Sequence, residues 1–317
     1  MRPRSTAIIL CLLAAGSLYA TDQNKKDDPN QIGNRDVGKC LNFYSVEKEI
    51  ALGKQLAEEV SRQAKVSRDP ILGEFVNRIG QNLVRSSDAK VPFKFQVVDD
   101  DSPNAFALPG GFVFVHTGLL KLASEEDEFA GALAHEIAHV AARHLTCRAT
   151  KQELASVAGG IGGIFLPRGI GGIAGREAVS FGVPMAFLQF SRTDESEADY
   201  LGTQYMYAAG YDPNGAVSIF EKLSALQKTQ PGFAARIMST HPMDADRIDK
   251  TEKEIQRILP AKSEYLVTTS EYTDIRERVI AAGQKQADRT KPTLRRAPES
   301  QPDSPDDQRP TIKRHLQ

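Results

Sequence analysis

His135-Glu136-Ile137-Ala138-His139 sets two histidines four residues apart, with a glutamate beside the first. On an α-helix four residues make slightly more than one turn, so both imidazoles leave one face and can bite a single metal ion. Glu136 then stands next to the first of them, placed to act as general base on an attacking water. Zinc suits imidazole and carboxylate donors, polarises a carbonyl and acidifies water to a pKa of about 7. That chemistry is peptide hydrolysis.

A catalytic zinc site needs a third protein donor and one open position. On the same helix the pattern would be Gly seven residues after the first His and a third His ten after it. Those positions hold Ala142 and Leu145. His144 falls about 140° round an ideal helix from His139, so it reads as a helix-terminal histidine near the negative end of the dipole. The remaining source is a carboxylate on a later helix, and Glu195-Ser196-Glu197-Ala198-Asp199 offers one. Glu195 and Asp199 share a face at i and i+4, so Glu195 can ligate while Asp199 orients a ligand histidine. Glu197 points elsewhere, toward solvent. Without the histidine pair this run would read as an acidic, exposed helix start.

The elements that must carry these groups are legible as patterns. Ser45 to about Ser67 is helical, with Ile50, Leu52, Leu56 and Val60 spaced along it. A second helix starts after Asp69, with Pro70 at its first position and Ile71, Phe75, Ile79 and Leu83 on one stripe. Phe93 to Val98 alternates and reads as a strand, and Phe112 to Val115 as another, entered through Pro109-Gly110-Gly111. Ser124 reads as an N-cap, with Asp127 as its capping-box partner, for a helix running to about Thr146. Another helix covers about Thr193 to Ala209 and stops at Gly210, and Asp212-Pro213 opens the next, to about Gln227. From Thr251 to Ala282 a helical pattern mixes with one short candidate strand, Tyr265 to Thr268.

The stretch Ala155 to Phe190 is rich in Gly, Ile, Phe and Ala. Such glycine density packs poorly, so it reads as a mobile lid or a loop making peripheral membrane contact. Residues 1–20 read as a signal peptide: Arg2 and Arg4, an apolar run from Ala7 to Leu18, then small residues to Ala20. The expected location is periplasmic or otherwise secreted, with membrane association through 155–190. In an oxidising compartment Cys40 and Cys147 can pair or remain separate thiols, and their spacing does not decide between the two. Residues 21–44 read as a flexible lead-in, 45–283 as the catalytic domain and 284–317 as a disordered polar tail. A formal net charge of -1 leaves no basic footprint, which argues against nucleic acid as a partner.

The run His135 to His144, followed by Glu195-Ser196-Glu197-Ala198-Asp199, resembles metallopeptidase family 48, the CaaX prenyl protease, HtpX and BepA type. Two more segments are similar to its soluble members: Asn104-Ala105-Phe106-Ala107-Leu108-Pro109-Gly110-Gly111, and Ser239-Thr240-His241-Pro242 with Arg247-Ile248. The resemblance implies an α+β, mostly helical gluzincin-type domain with a small sheet beside the active-site cleft. It implies one Zn2+ per chain held by His135, His139 and Glu195, with Glu136 as catalytic base. The strand Phe112, Val113, Phe114, Val115 is expected to be the sheet edge to which an extended substrate adds. His241 is implied as an oxyanion donor or a reversible fourth zinc ligand; the plain alternative is a capping or surface histidine beside Pro242. Arg247 either supports the oxyanion or pairs with Asp244 or Glu252. The form expected is stand-alone and secreted, without transmembrane helices or tetratricopeptide repeats. Its substrates would be unfolded or misassembled cell-envelope proteins. The competing reading is a zinc-stabilised, chaperone-like binding module with little turnover.

Overall fold

α1 (Val46–Gln63) starts at Ser45, whose side chain accepts from the Lys48 N–H. α2 (Pro70–Arg85) starts at Asp69, which accepts from the N–H groups of Ile71 and Leu72, with proline filling the first position. Both starts follow from side chains that satisfy the orphan N–H groups of a first turn. The computed structural model describes residues 26–158, 189–229, 241 and 244–290. The leader read at 1–20 and most of the apolar insert read at 155–190 lie outside the described residues.

Three strands form one sheet in the order β1-β3-β2. β1 (Lys94–Val98) pairs parallel to β3 (Phe112–His116), and β2 (Ala105–Leu108) pairs antiparallel to β3. This corrects one expectation. Phe112, Val113, Phe114 and Val115 lie in the central strand, hydrogen-bonded on both sides, so they cannot be the edge that receives a substrate strand. The outer strands are β1 and β2, and β2 is one that the sequence patterns did not reveal. All four of its residues are buried, with Ala105 and Ala107 in one apolar cluster and Phe106 and Leu108 in another. A strand covered on both faces shows no period-2 alternation.

α3 (Thr117–Leu122) follows the sheet, and α4 (Glu126–Ala141) follows α3. α4 is capped by Glu125 and Glu128 in a reciprocal capping box rather than by Ser124 and Asp127. It ends at Ala141, short of the Thr146 expected from the pattern. Arg143 takes a left-handed φ of 58° and the chain restarts as α5 (His144–Ala158). α6 (Arg192–Ala209) ends at Gly210 with φ 94°, and is followed by α7 (Asn214–Thr229), α8 (Ala245–Ile258) and α9 (Ser270–Thr290). Tyr265 to Thr268 is no strand; Leu266 makes one isolated bridge to Tyr211.

Both proposed flanks need correction. Residues 26–44 are not a loose lead-in. Arg35 is buried on the Asp88 carboxylate at 2.5 Å, Tyr205 donates to the same carboxylate, and Cys40 is disulfide-bonded to Cys147 with Cα atoms 5.9 Å apart. The polar composition of the segment hides a buried ion pair whose partners lie far off in sequence. At the other end α9 runs through Gly283 to Thr290, so no boundary falls at 283.

The main core joins α2, the sheet, α4, α6, α7 and α9, with Phe75, Phe129, Leu133, Ile137, Tyr205 and Tyr272 among its buried members. A second cluster covers the other face of the sheet, where Leu56, Ala57 and Val60 of α1 meet Phe106, Phe114 and Phe190. α4 is therefore central, and α6 packs closely along it. A Cβ on Gly202 would lie 3.2 Å from the His135 backbone nitrogen, so glycine there lets the two helices approach. Glu195, Asp199 and Gly202 fall on one stripe at i, i+4 and i+7, which turns both carboxylates toward the histidines of α4.

Candidate metal centre

His135 and His139 project from α4 with their Nε2 atoms 3.0 Å apart. Glu195 reaches in from α6, with Oε2 3.5 Å from His135 Nε2 and Oε1 3.4 Å from His139 Nε2. His241, just before α8, brings Nδ1 to 2.9 Å from Glu195 Oε1 and 3.3 Å from His135 Nε2. One donor atom from each of these four side chains lies within 4.8 Å of the others. The first three are buried and His241 is half-buried.

These donors fit a metal ion. His135 Nδ1 faces Asp199 Oδ1 at 2.9 Å. A carboxylate only accepts, so in the neutral ring Nδ1 carries the proton and Nε2 presents its lone pair. His139 likewise has its Nδ1 occupied by another side chain, 2.9 Å away. Two imidazole lone pairs and a carboxylate aimed at one buried point repel each other unless a cation lies between them. Nitrogen and oxygen donors of this kind suit zinc.

Glu136 lies beside the cluster but not in it. Its Oε2 accepts the Ala107 backbone N–H at 2.9 Å, and its Oε1 is 3.4 Å from His241 Nε2. Ala107 therefore points its N–H away from β3 toward the Glu136 carboxylate, and among the described residues no strand pairs with that side of β2. A small pocket adjoins the same edge, lined by Ala105, Leu119, Ala132, Phe220 and Leu223 together with His135, Glu136, His241 and Arg247.

Residues 71–255 match the family model described as Peptidase family M48. The chain belongs to peptidase family M48. The metallopeptidase class read from its sequence stands with that assignment. Similar proteins include the beta-barrel assembly-enhancing protease of Yersinia pestis, 30% identical over 260 residues, covering 80% of this chain and 53% of that one. The protein of that name in Escherichia coli is 30% identical over 225 residues, covering 68% of this chain and 45% of that one. The mitochondrial metalloendopeptidase OMA1 of Schizosaccharomyces pombe is 36% identical over 183 residues, covering 56% and 52%. The chain thus spans about half the length of these relatives.

In the M48 site the buried charges compensate one another. Burial alone would raise the Glu195 carboxyl, but the His241 charge and hydrogen bonds to His135, His139 and His241 hold it well below the usual carboxylate range. Burial alone would lower His135, but Asp199 and Glu195 more than offset this and lift it to about 10. His139 is pushed well below its ordinary value, chiefly by burial. Burial also raises Glu136. The Arg247 guanidinium engages both Glu195 and Asp199. Nη1 is 2.6 Å from Glu195 Oε2, while Nε and Nη2 each donate to Asp199 at 2.8 Å. Asp244 caps α8 by accepting the Arg247 backbone N–H.

Two residues depart from the sequence reading. His144 does not point away: its Nδ1 lies 2.9 Å from His139 Nδ1. Glu197 is not simply solvated, because Oε2 is 3.4 Å from His144 Nε2 and Oε1 takes the Lys26 ammonium at 2.8 Å. The ideal-helix angle misplaced His144 because the helix breaks before it. No glycine or proline marks the break. Arg143 is held in its left-handed turn by Glu49, at 2.9 Å from Nε, and by the Tyr44 carbonyl, at 2.6 Å from Nη2.

Proposed function

We propose that this chain is a zinc-dependent endopeptidase that cleaves unfolded or misassembled cell-envelope proteins. His135, His139 and Glu195 hold one zinc ion. When bound, the metal supplies Lewis acidity, polarising the scissile carbonyl and acidifying water. Glu136 takes the proton of the attacking water and returns it to the leaving amine. Its burial suits that task, since a raised carboxylate pKa lies nearer the operating pH of a general base. The Ala107 N–H fixes the carboxylate so that one oxygen stays directed into the site.

An extended substrate lies along the free edge of β2. Residues alternate along a strand, so Ala105 turns its N–H and C=O outward, beside the Ala107 C=O, while the Ala107 N–H is held by Glu136. Main-chain pairing there gives affinity with little demand on sequence, as an enzyme acting on unfolded chains requires. The apolar pocket beside Ala105 accepts one substrate side chain. His241 directs Nδ1 at the same point as the three ligands, which favours a fourth-ligand role in this arrangement over an oxyanion role. The envelope assignment draws on the leader reading and on relatives named beta-barrel assembly-enhancing protease.

The observation that carries the reading is the convergence of His135, His139 and Glu195, with Glu136 fixed beside them. A binding module needs the first three residues but not the fourth. Casein cleavage that 1,10-phenanthroline abolishes and added zinc restores is the expected result. Cleavage indifferent to the chelator would refute the metal-dependent reading, and zinc-loaded protein without cleavage would favour the binding module.

A further inference from the structure

His144, expected to be a helix-terminal histidine, is instead buried against the back of His139. Three contacts run outward in a line: His139 Nδ1 to His144 Nδ1 at 2.9 Å, His144 Nε2 to Glu197 Oε2 at 3.4 Å, and Glu197 Oε1 to Lys26 Nζ at 2.8 Å.

Only one proton arrangement satisfies this line once a metal occupies His139 Nε2. That nitrogen gives up its lone pair, so Nδ1 must carry the ring proton. His144 Nδ1 must then accept, which leaves the His144 proton on Nε2. That N–H faces Glu197, which accepts, and Glu197 in turn accepts from Lys26. Each donor meets an acceptor without any ring becoming charged. Phe190 closes one side of the pair, with its ring centroid 3.8 Å from that of His139 and 6.2 Å from that of His144. The His139 ring is thereby confined from its face as well as from its edge.

The backbone is shaped to deliver this contact. Arg143 occupies a left-handed conformation that costs a non-glycine residue free energy. The surrounding structure holds it there through Glu49 and Tyr44, and the disulfide from Cys40 to Cys147 fixes the first turn of α5. Without the break, His144 would sit on the far side of a continuous helix.

We infer that His144 is a positioning residue for the metal site, fixing the ring orientation and tautomer of His139 by accepting its Nδ1 proton. Groups that orient a ligand histidine in this way typically contribute ten- to a hundredfold to metal affinity. This inference rests on the metal-site reading above, so its test separates the two.

The full-length protein, its His144→Ala and its His144→Asn variants are titrated with zinc against a chromophoric chelator, and the cobalt(II)-substituted forms are compared by visible absorption. Asparagine can place its Oδ1 near the position of the lost Nδ1. His144→Ala is expected to weaken zinc binding by tenfold or more and to shift the cobalt bands, and His144→Asn to recover most of both. Zinc binding by His144→Ala within twofold of wild type, with an unchanged cobalt spectrum, overturns the inference while leaving the metal site intact. Failure of wild type to bind zinc overturns the metal-site reading itself, and this inference with it. Should His144→Ala not fold, long-range 1H–15N spectra of the zinc-loaded wild type decide the matter. A proton on Nε2 of His144 and Nδ1 of His139 is expected, and a proton on Nδ1 of His144 overturns the inference.

Discussion

His135 and His139 leave one face of α4 a turn apart, but the groups behind their rings differ. His135 Nδ1 rests on the Asp199 carboxylate, which is itself gripped by the Arg247 guanidinium. His139 Nδ1 rests on another imidazole, backed by a half-buried glutamate and lysine. The distances are equal at 2.9 Å, so geometry does not distinguish the two sides; charge does. Asp199 together with Glu195 lifts His135 to about 10, whereas burial drives His139 down. A carboxylate behind a ligand ring raises its basicity, while a neutral acceptor mainly fixes its direction. The site thus pairs one strongly basic imidazole with one that is mainly held in place.

The largest effect is expected on the ionic side. Asp199→Ala removes the partner of His135 and the acceptor of the Arg247 Nε and Nη2 hydrogen bonds. A buried charge deprived of its partner costs about 3 kcal/mol, to be read as a loss of stability in denaturant unfolding of the metal-free protein. An unfolding free energy unchanged within error would mean that Arg247 is satisfied by the partners that remain. The smallest effect is expected at the outer end of the other side. Lys26 and Glu197 are each about one-third exposed. Lys26→Ala should therefore cost no more than about 1 kcal/mol and leave zinc affinity within twofold. A loss as large as that of Asp199→Ala would show that the two sides are equivalent and that the contrast drawn here is wrong.

Much of the ionic side was legible in the sequence, because its members sit at regular spacings within helices. His135 with His139, and Glu195 with Asp199, are i, i+4 pairs that any intact helix must align. The caps at Asp69-Pro70 and Gly210 were legible for the same local reason. The neutral side was not. His144 depends on a helix break at Arg143 that is set by Glu49 and Tyr44, roughly a hundred residues upstream. β2 escaped notice because both its faces are buried and its four residues carry no alternation. Arg35 escaped because a charged residue in a polar segment gives no sign of a distant buried aspartate. In each case the deciding contact lies far off in sequence, beyond the reach of periodicity.

The central claim is that His135, His139 and Glu195 hold zinc while Glu136 performs the proton transfer. Zinc content and casein cleavage of wild type and Glu136→Gln, measured on the same preparations, test it most directly. The account predicts one equivalent of zinc in both proteins and a loss of cleavage of at least a hundredfold in the variant. Equal cleavage by the two proteins would contradict it.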